Sequence, residues 1–389
     1  MPTYYFFRNI NYPMKIAFDA KRAAQNRTGL GNYSRLIIEG FSRCYPENNY
    51  LLYTPITQKT QLLGTIAKQK NCLVRYPQNY IWKRLSSLWR ISGICKLIKS
   101  DNVSIYHGLS NELPFGINKL KKTKSVVTIH DLIFLRYPDF FPLIDRTIYM
   151  FKFKHACKVA DRIIAISECT KRDIMQYFGT PEEKIKVIYQ GCDESFSNPV
   201  DDALKQEVRE MYSLPEKYLL CVGSIESRKN LLLIVKALKE SKSGLPLVAV
   251  GKYTPYAGKV LQYAKEQGLS ERLLMFHNVE FKHLLAFYQM ASLFIYPSFF
   301  EGFGIPLLEA LNSKVPVIGA TGSCLEEAGG PHSLYVNPED PKALAEAIDR
   351  VISDENLQQE MISKGLEYAS RFEQDKLIPQ MMEVYHSLL

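Results

Sequence analysis

The sequence predicts an α/β protein of two doubly wound domains, and three observations carry that prediction. Short β-branched apolar runs alternate with longer segments of helical period. The alternation stops at residues 191–200, GCDESFSNPV, and then restarts. The length, 389 residues, exceeds what one ordinary core accommodates.

In the first half, strands are expected at 15–20, 50–54, 103–107, 125–129, 162–166 and 186–189. Helical spacing falls between several of them, at 32–43, 81–99, 146–159 and 168–178. Strands separated by helices imply a parallel sheet covered on both faces. The Gly, Asn, Pro and Ser content of 191–200 marks an interdomain linker. Beyond it, strands are expected at 218–222, 246–250, 273–276, 293–296 and 315–318. Helices are expected between them at 231–240, 257–267, 282–290 and 306–311. A final amphipathic stretch, 377–389, fits either domain.

Composition narrows the class. At 46% hydrophobic and 23% charged residues the chain is ordinary globular protein. No apolar run approaches the ~20 residues of a membrane-spanning helix. The first thirteen residues, MPTYYFFRNINYP, lack the apolar core and cleavage site of a secretory signal, and are expected to be a disordered leader. A cytoplasmic location follows as an expectation. The eight cysteines contain no C-x-x-C and the histidines no H-E-x-x-H, so reduced thiols and no metal are expected. Net charge is +9 and uneven: residues 1–195 hold 30 basic and 15 acidic side chains, against 19 and 25 in the remainder. The basic half suits an anionic partner, and it lacks any nucleic-acid recognition module.

In open parallel sheets ligands bind beyond the carboxyl ends of strands. The candidate residues all sit at such ends. After strand 293–296 comes a loop holding Glu301, Gly302, Phe303 and Gly304, with Pro306 suited to a first helical turn and Glu309 soon after. On one continuous helix the two glutamates would stand ~80° and ~12 Å apart. With a loop intervening, both can face one ligand, and carboxylates suit sugar or ribose hydroxyls. The same stretch also reads as a glycine-rich helix entry with an acidic first turn.

After strand 218–222, Gly223 opens a loop that ends in Arg228 and Lys229, directly before a helix. Two cations oppose the dipole at a helix start, and an anion such as a diphosphate would resolve the conflict. Near the start, N-R-T-G-L-G-N-Y carries Gly29 and Gly31 where a phosphate nest would be, without the third glycine of a dinucleotide fingerprint. His130 and Asp131 end a buried strand, His130 facing crevice or sheet. No Asp-x-Asp occurs, so Arg228 and Lys229 would neutralise a diphosphate in place of a metal. Finally, residues 81–98 hold both tryptophans on an apolar helical stripe opposed by Lys83, Arg84, Arg90 and Lys96. That pattern fits an anionic bilayer surface and equally a core-facing helix.

Together these residues resemble the family 4 retaining glycosyltransferases, whose GT-B fold pairs two Rossmann-like domains across a central cleft. The resemblance covers nearly the whole chain after Met14. Its most specific element is the E-x7-E signature within P-S-F-F-E-G-F-G-I-P-L-L-E-A. The ISECTKRDI run from Ile166, S-R-K-N ending at Asn230 and N-P-E-D-P-K-A-L-A from Asn337 stand beside it. The resemblance implies that Glu301 holds donor-sugar hydroxyls with the amides of Phe303 and Gly304, and that Glu309 binds ribose. It implies a diphosphate clamp at Arg228 and Lys229, an amide donor at Gly31 and a crevice histidine at His130 near the sugar. It also implies domains over 1–195 plus 372–389 and over 196–371, the last helix returning to the first. Glu326 replaces a common proline, which touches the nucleotide pocket.

The expected function is metal-independent, retaining transfer of a hexose from a GDP- or UDP-linked donor to a glycan or lipid-linked acceptor in surface polysaccharide synthesis. A non-catalytic nucleotide-sugar-binding subunit is the alternative. A glycosidase using Glu301 and Glu309 would leave the cationic pair without purpose.

Overall fold

A computed structural model describes residues 13–56 and 60–389. Of the thirteen residues expected as a leader, all but Pro13 lie outside the described ones. The chain divides into two units. The first comprises residues up to 166, 170–188 and 374–389; the second comprises 167–169 and 189–373.

The first unit is a seven-stranded parallel sheet ordered β3-β2-β1-β4-β5-β6-β7. Its strands are β1 Lys15–Asp19, β2 Asn49–Tyr53, β3 Cys72–Arg75, β4 Ile105–Gly108, β5 Lys124–Ile129, β6 Arg162–Ala165 and β7 Ile185–Val187. Ala17 of β1 lies between Leu51 and Tyr106, all three in the core. Burial on both faces is why these strands read as unbroken apolar runs.

The second unit is a six-stranded parallel sheet ordered β10-β9-β8-β11-β12-β13. Here β8 is Leu219–Val222, β9 Leu247–Val250, β10 Leu273–Phe276, β11 Leu293–Tyr296, β12 Val317–Ala320 and β13 Leu334–Val336. Leu219 pairs with Leu247 on one side and Leu293 on the other. In each sheet the strand order reverses once, between β1 and β4 and between β8 and β11. Those reversals are where such folds open a ligand crevice.

The two Rossmann-like sheets are as the sequence predicts; several details differ. Edge strands β3 and β13 lie outside the sequence expectation; both are only partly buried. Helices Asp202–Met211, Pro341–Ser353 and Glu355–Ala369 are also additional to those expected. Their signals are caps: Asp201, Asp340 and Asp354 each accept a first-turn amide. Residues 191–200 are no free linker. Phe196 is buried in the second unit, edge-on to Phe281 and Tyr288 at 5.8 and 5.2 Å.

The expected helix 81–99 is broken. Short turns Tyr80–Arg84 and Ser86–Leu88 lead into a wide π-type turn Trp89–Gly93, and a regular helix resumes at Ile94–Ser100. The widened turn rotates Trp89 into the core and Arg90 inward. Arg90 then meets Asp19 at 2.6 Å and Glu112 at 2.5 Å, so it does not belong to a solvated basic face.

Helix Gln374–His386 completes the first unit. Its Tyr385 ring stacks on Phe41 at 5.1 Å. The Tyr385 hydroxyl meets His107 Nδ1 at 2.6 Å, and His107 Nε2 meets Thr128 Oγ1 at 2.8 Å. Burial, helped by nearby His130, pushes His107 down to about 3, so a neutral imidazole bridges these hydroxyls.

Candidate active site

The carboxyl ends of β8 and β11 flank the reversal in the second sheet, and the strongest candidates converge there. Beyond β8, Gly223 has φ of 148°, and a Cβ on it would sit 3.8 Å from Lys229 Cε, so the lysine stem runs over the glycine. Ser227–Lys229 form one 3-10 turn, Asn230 takes the left-handed conformation, and helix Leu231–Glu240 follows. Asn230 Nδ2 donates to the carbonyls of Pro297 and Pro338. The amide of Phe299 donates to the Arg228 carbonyl at 3.0 Å. The two loops are thereby laced together.

Glu301 is the hub. Its Oε1 lies 2.7 Å from Arg228 Nη1, 2.5 Å from Lys229 Nζ and 2.7 Å from Ser298 Oγ. Tyr296 donates its hydroxyl to the same oxygen at 3.1 Å and also receives Lys229. Arg228 further donates to the Phe300 carbonyl at 2.7 Å and to Glu226 at 2.8 Å. Burial would raise the Glu301 carboxyl, but Lys229 and Arg228 overcome it and hold the group at about 2. Burial likewise acts to lower Arg228, and Glu301 more than reverses this. Every donor converges on Oε1, which leaves Oε2 as the oxygen for an incoming hydroxyl.

Gly302 and Phe303 are buried beside it. The Phe303 ring lies 5.4 Å from both Tyr189 and Phe372, which fixes the loop. Gly304 has φ of 125° and caps helix Ile305–Asn312; a Cβ there would come within 2.9 Å of Leu325. Among the described residues the amides of Phe303 and Gly304 donate to no protein acceptor, and they stand at a helix start.

Glu309 follows on that helix and accepts the Tyr288 hydroxyl at 2.7 Å. Burial pushes it up to about 7; Tyr288 works against this and Asp193 adds to it. Each glutamate thus has its own tyrosine, with the Phe294 ring between Tyr288 and Tyr296 at 5.3 and 6.0 Å. As the ribose acceptor that the resemblance implies, Glu309 would take two hydroxyls only in its ionised form. The ionised fraction climbs as pH rises through about 7, so donor affinity should increase about tenfold from pH 6 to pH 8. Isothermal titration across that range checks it, with Glu309→Gln expected to flatten the slope.

In the first unit, Gly29 opens helix Gly29–Cys44 and is exposed. Gly31 is buried, and a Cβ on it would lie 1.9 Å from the Asn26 carbonyl oxygen. Its amide donates to the Thr28 carbonyl at 2.9 Å, so this glycine serves the turn itself. His130 ends β5 buried, its ring edge-on to Tyr33 at 4.7 Å and its Nε2 on the Leu109 carbonyl at 2.8 Å. Since a carbonyl only accepts, Nε2 carries the proton. Burial, aided by Arg22 and opposed by that hydrogen bond, lowers the imidazole to about 4. Asp131 Oδ1 accepts the Ile133 amide at 3.1 Å.

Sequence reasoning missed Tyr296, Tyr288 and Ser298, which look like strand and helix core. It also missed Gly251, where a Cβ would strike the Gly223 carbonyl oxygen at 1.7 Å. Glycines ending two adjacent strands were the available signal.

With this geometry in view, comparison with known proteins gives a consistent answer. Residues 205–368 match the model for glycosyl transferases group 1, and 64–196 that for glycosyltransferase family 4. The O-antigen chain mannosyltransferase RfbU of Salmonella typhimurium is 31% identical over 283 residues, covering 72% of this chain and 73% of that protein. The chain belongs to the family 4, group 1 glycosyltransferases. Another member, O-antigen chain mannosyltransferase B of Escherichia coli, is 29% identical over 73% of this chain and 74% of its own. A crystal structure of a glycosyltransferase from Rickettsia africae superposes with a TM-score of 0.76 at 17% identity, covering 97% of this chain and 99% of that one. Anabaena HepE, crystallised with UDP and glucose, gives 0.73 at 17%, covering 96% and 100%. The fold of this glycosyltransferase is therefore GT-B.

Proposed function

We propose that this glycosyltransferase moves a mannosyl residue from a nucleoside-diphosphate donor, GDP-linked before UDP-linked, to a hydroxyl of a glycan or lipid-linked glycan, with anomeric retention. The sugar assignment draws on the two mannosyltransferase relatives, whose names place them in O-antigen synthesis. The reading rests above all on Arg228 and Lys229 both meeting Glu301 at the sheet reversal.

Glu301 Oε2 and the amides of Phe303 and Gly304 take the sugar, Glu309 the ribose, and Arg228 with Lys229 the diphosphate, without a metal. As the C1–O bond to phosphate breaks, charge grows on the leaving oxygen, and the two cations stabilise it. The acceptor oxygen bonds to C1 from the same face, and its proton passes to the leaving phosphate. His130, lowered to about 4, is neutral and no acid at pH 7.

Glu301 at about 2 and Glu309 at about 7 also resemble a glycosidase's nucleophile and acid. Family membership and the cations saturating Glu301 favour transfer. The test is a sugar-nucleotide panel followed by NMR of the product. GDP-mannose at 100 times its Kd should add about 2.7 kcal/mol to thermal stability and yield a product of the donor's own α configuration. A β product would defeat retention. Stabilisation solely by other sugars would defeat the mannose assignment. Binding without turnover on any acceptor would instead indicate a non-catalytic subunit.

A further inference from the structure

Helix Leu143–Val159 is apolar on two faces, which normally marks a helix enclosed on all sides. Its inner face is enclosed, with Phe153, Ala156 and Cys157 in the core. Its outer face is not: Leu143, Ile144, Ile148 and Phe151 are exposed, Ile144 at 74% and Phe151 at 63%. At 100° per residue Thr147, Ile148, Phe151, Lys152, Lys154, His155, Lys158 and Val159 lie within roughly 80° of Ile144, and no acid shares that sector.

The broken segment 80–93 lies beside this helix. Phe115 donates its amide to the Ile91 carbonyl at 2.7 Å while its ring stacks on Phe151 at 5.5 Å. Glu112 receives Arg90 at 2.5 Å and Lys152 at 3.2 Å. On this neighbour Tyr80, Ile81, Leu85 and Leu88 are exposed, interleaved with exposed Lys83 and Arg84. Among the described residues, 80–88 and 143–151 expose nine large apolar side chains, against four in the whole second unit. A patch so concentrated marks a contact surface.

We propose that this two-segment face docks on an anionic bilayer, the helix Leu143–Val159 lying in the headgroup plane with Ile144, Ile148 and Phe151 inserted. The charge chooses a lipid surface over a second copy or another protein. Cations flank the apolar stripe on both segments, and lysine stems can lie along acyl chains while their ammonium groups reach phosphate. Two tryptophans led the sequence to place the contact on 81–98 alone; Trp89 is buried, and the aliphatic stripe on the neighbouring helix is the larger part.

The full chain would be sedimented with vesicles of phosphatidylcholine alone or with 30 mol% phosphatidylglycerol. No donor is needed, so the result is independent of the sugar reading. Preferential binding to the anionic vesicles is expected. Ile144→Asp with Phe151→Asp should reduce it tenfold or more, and Lys154→Gln or Lys158→Gln about fivefold each at low salt. Unchanged melting curves would confirm that these exposed substitutions leave the fold intact; if the aspartates lower the melt, the two lysine variants decide alone. Equal sedimentation of variants and parent, or equal binding to both vesicles, overturns the proposal. A parent dimer that the aspartates convert to monomer, without vesicle binding, assigns the face to a second copy and also overturns it.

Discussion

Arg228→Ala is expected to lower kcat about 10²-fold or more, with a smaller effect on donor affinity. The guanidinium is already aimed: its Nη1 is fixed by the Phe300 carbonyl and Glu301, and its Nη2 by Glu226. A preorganised charge costs no rearrangement when the diphosphate departs, and removing one such donor typically costs 10²–10³ in turnover. Since charge on the leaving oxygen grows toward the transition state, the loss should appear in kcat more than in KM. Arg228→Lys should recover part of the rate, limited by loss of the bidentate fork. Steady-state kinetics with donor hydrolysis as readout decides it. Parent-like kcat in Arg228→Ala would remove Arg228 from the mechanism.

Glu301→Gln is expected to have the second large effect, and of two opposite signs. Turnover should fall about 10²-fold, because the sugar loses its carboxylate acceptor at Oε2. Affinity for inorganic pyrophosphate should rise, because Arg228 and Lys229 lose the anion that now neutralises them. The same substitution leaves enclosed Lys229 without a carboxylate and Arg228 with Glu226 alone, a defect of up to about 3–5 kcal/mol in apo stability. Pyrophosphate should therefore restore much of the melting temperature of Glu301→Gln while stabilising the parent less. A variant whose melt ignores pyrophosphate would show that the two cations do not form an anion clamp. The acid limb agrees in sign: Glu301 is lowered to about 2, so its stabilisation is full above its ordinary carboxylate range and is lost as pH falls toward 2.

Local signals were strong where one element reports itself. Strands 273–276 and 293–296 match β10 and β11 end for end, because each is a short apolar run closed by polar or proline residues. Pro306 likewise announced the helix at Ile305–Asn312. The residues of the cluster were legible as types at strand ends. Their pairing was not, because Lys229 and Glu301 are 72 positions apart and no local pattern encodes their contact. The sequence suggested two opposed duties, cations for phosphate and carboxylates for sugar. The fold instead joins Arg228 and Lys229 to Glu301 in one ion cluster and sets Glu309 apart on Tyr288. The segment 81–98 misled for a similar reason: an amphipathic pattern cannot register a widened turn that sends Arg90 inward to Asp19.

The first unit is discontinuous along the chain, and this has a consequence for its birth. On a ribosome, residues 189–373 emerge between the seven-stranded sheet and the helix Gln374–His386 that covers Phe41 and His107. At ordinary elongation speeds that delay is on the order of ten seconds or more. Throughout it the nascent sheet exposes an apolar seat, and by its end the later-born unit has all its sequence. Vectorial synthesis thus inverts the order of completion, and the period before Tyr385 arrives is when a chaperone would find most to hold.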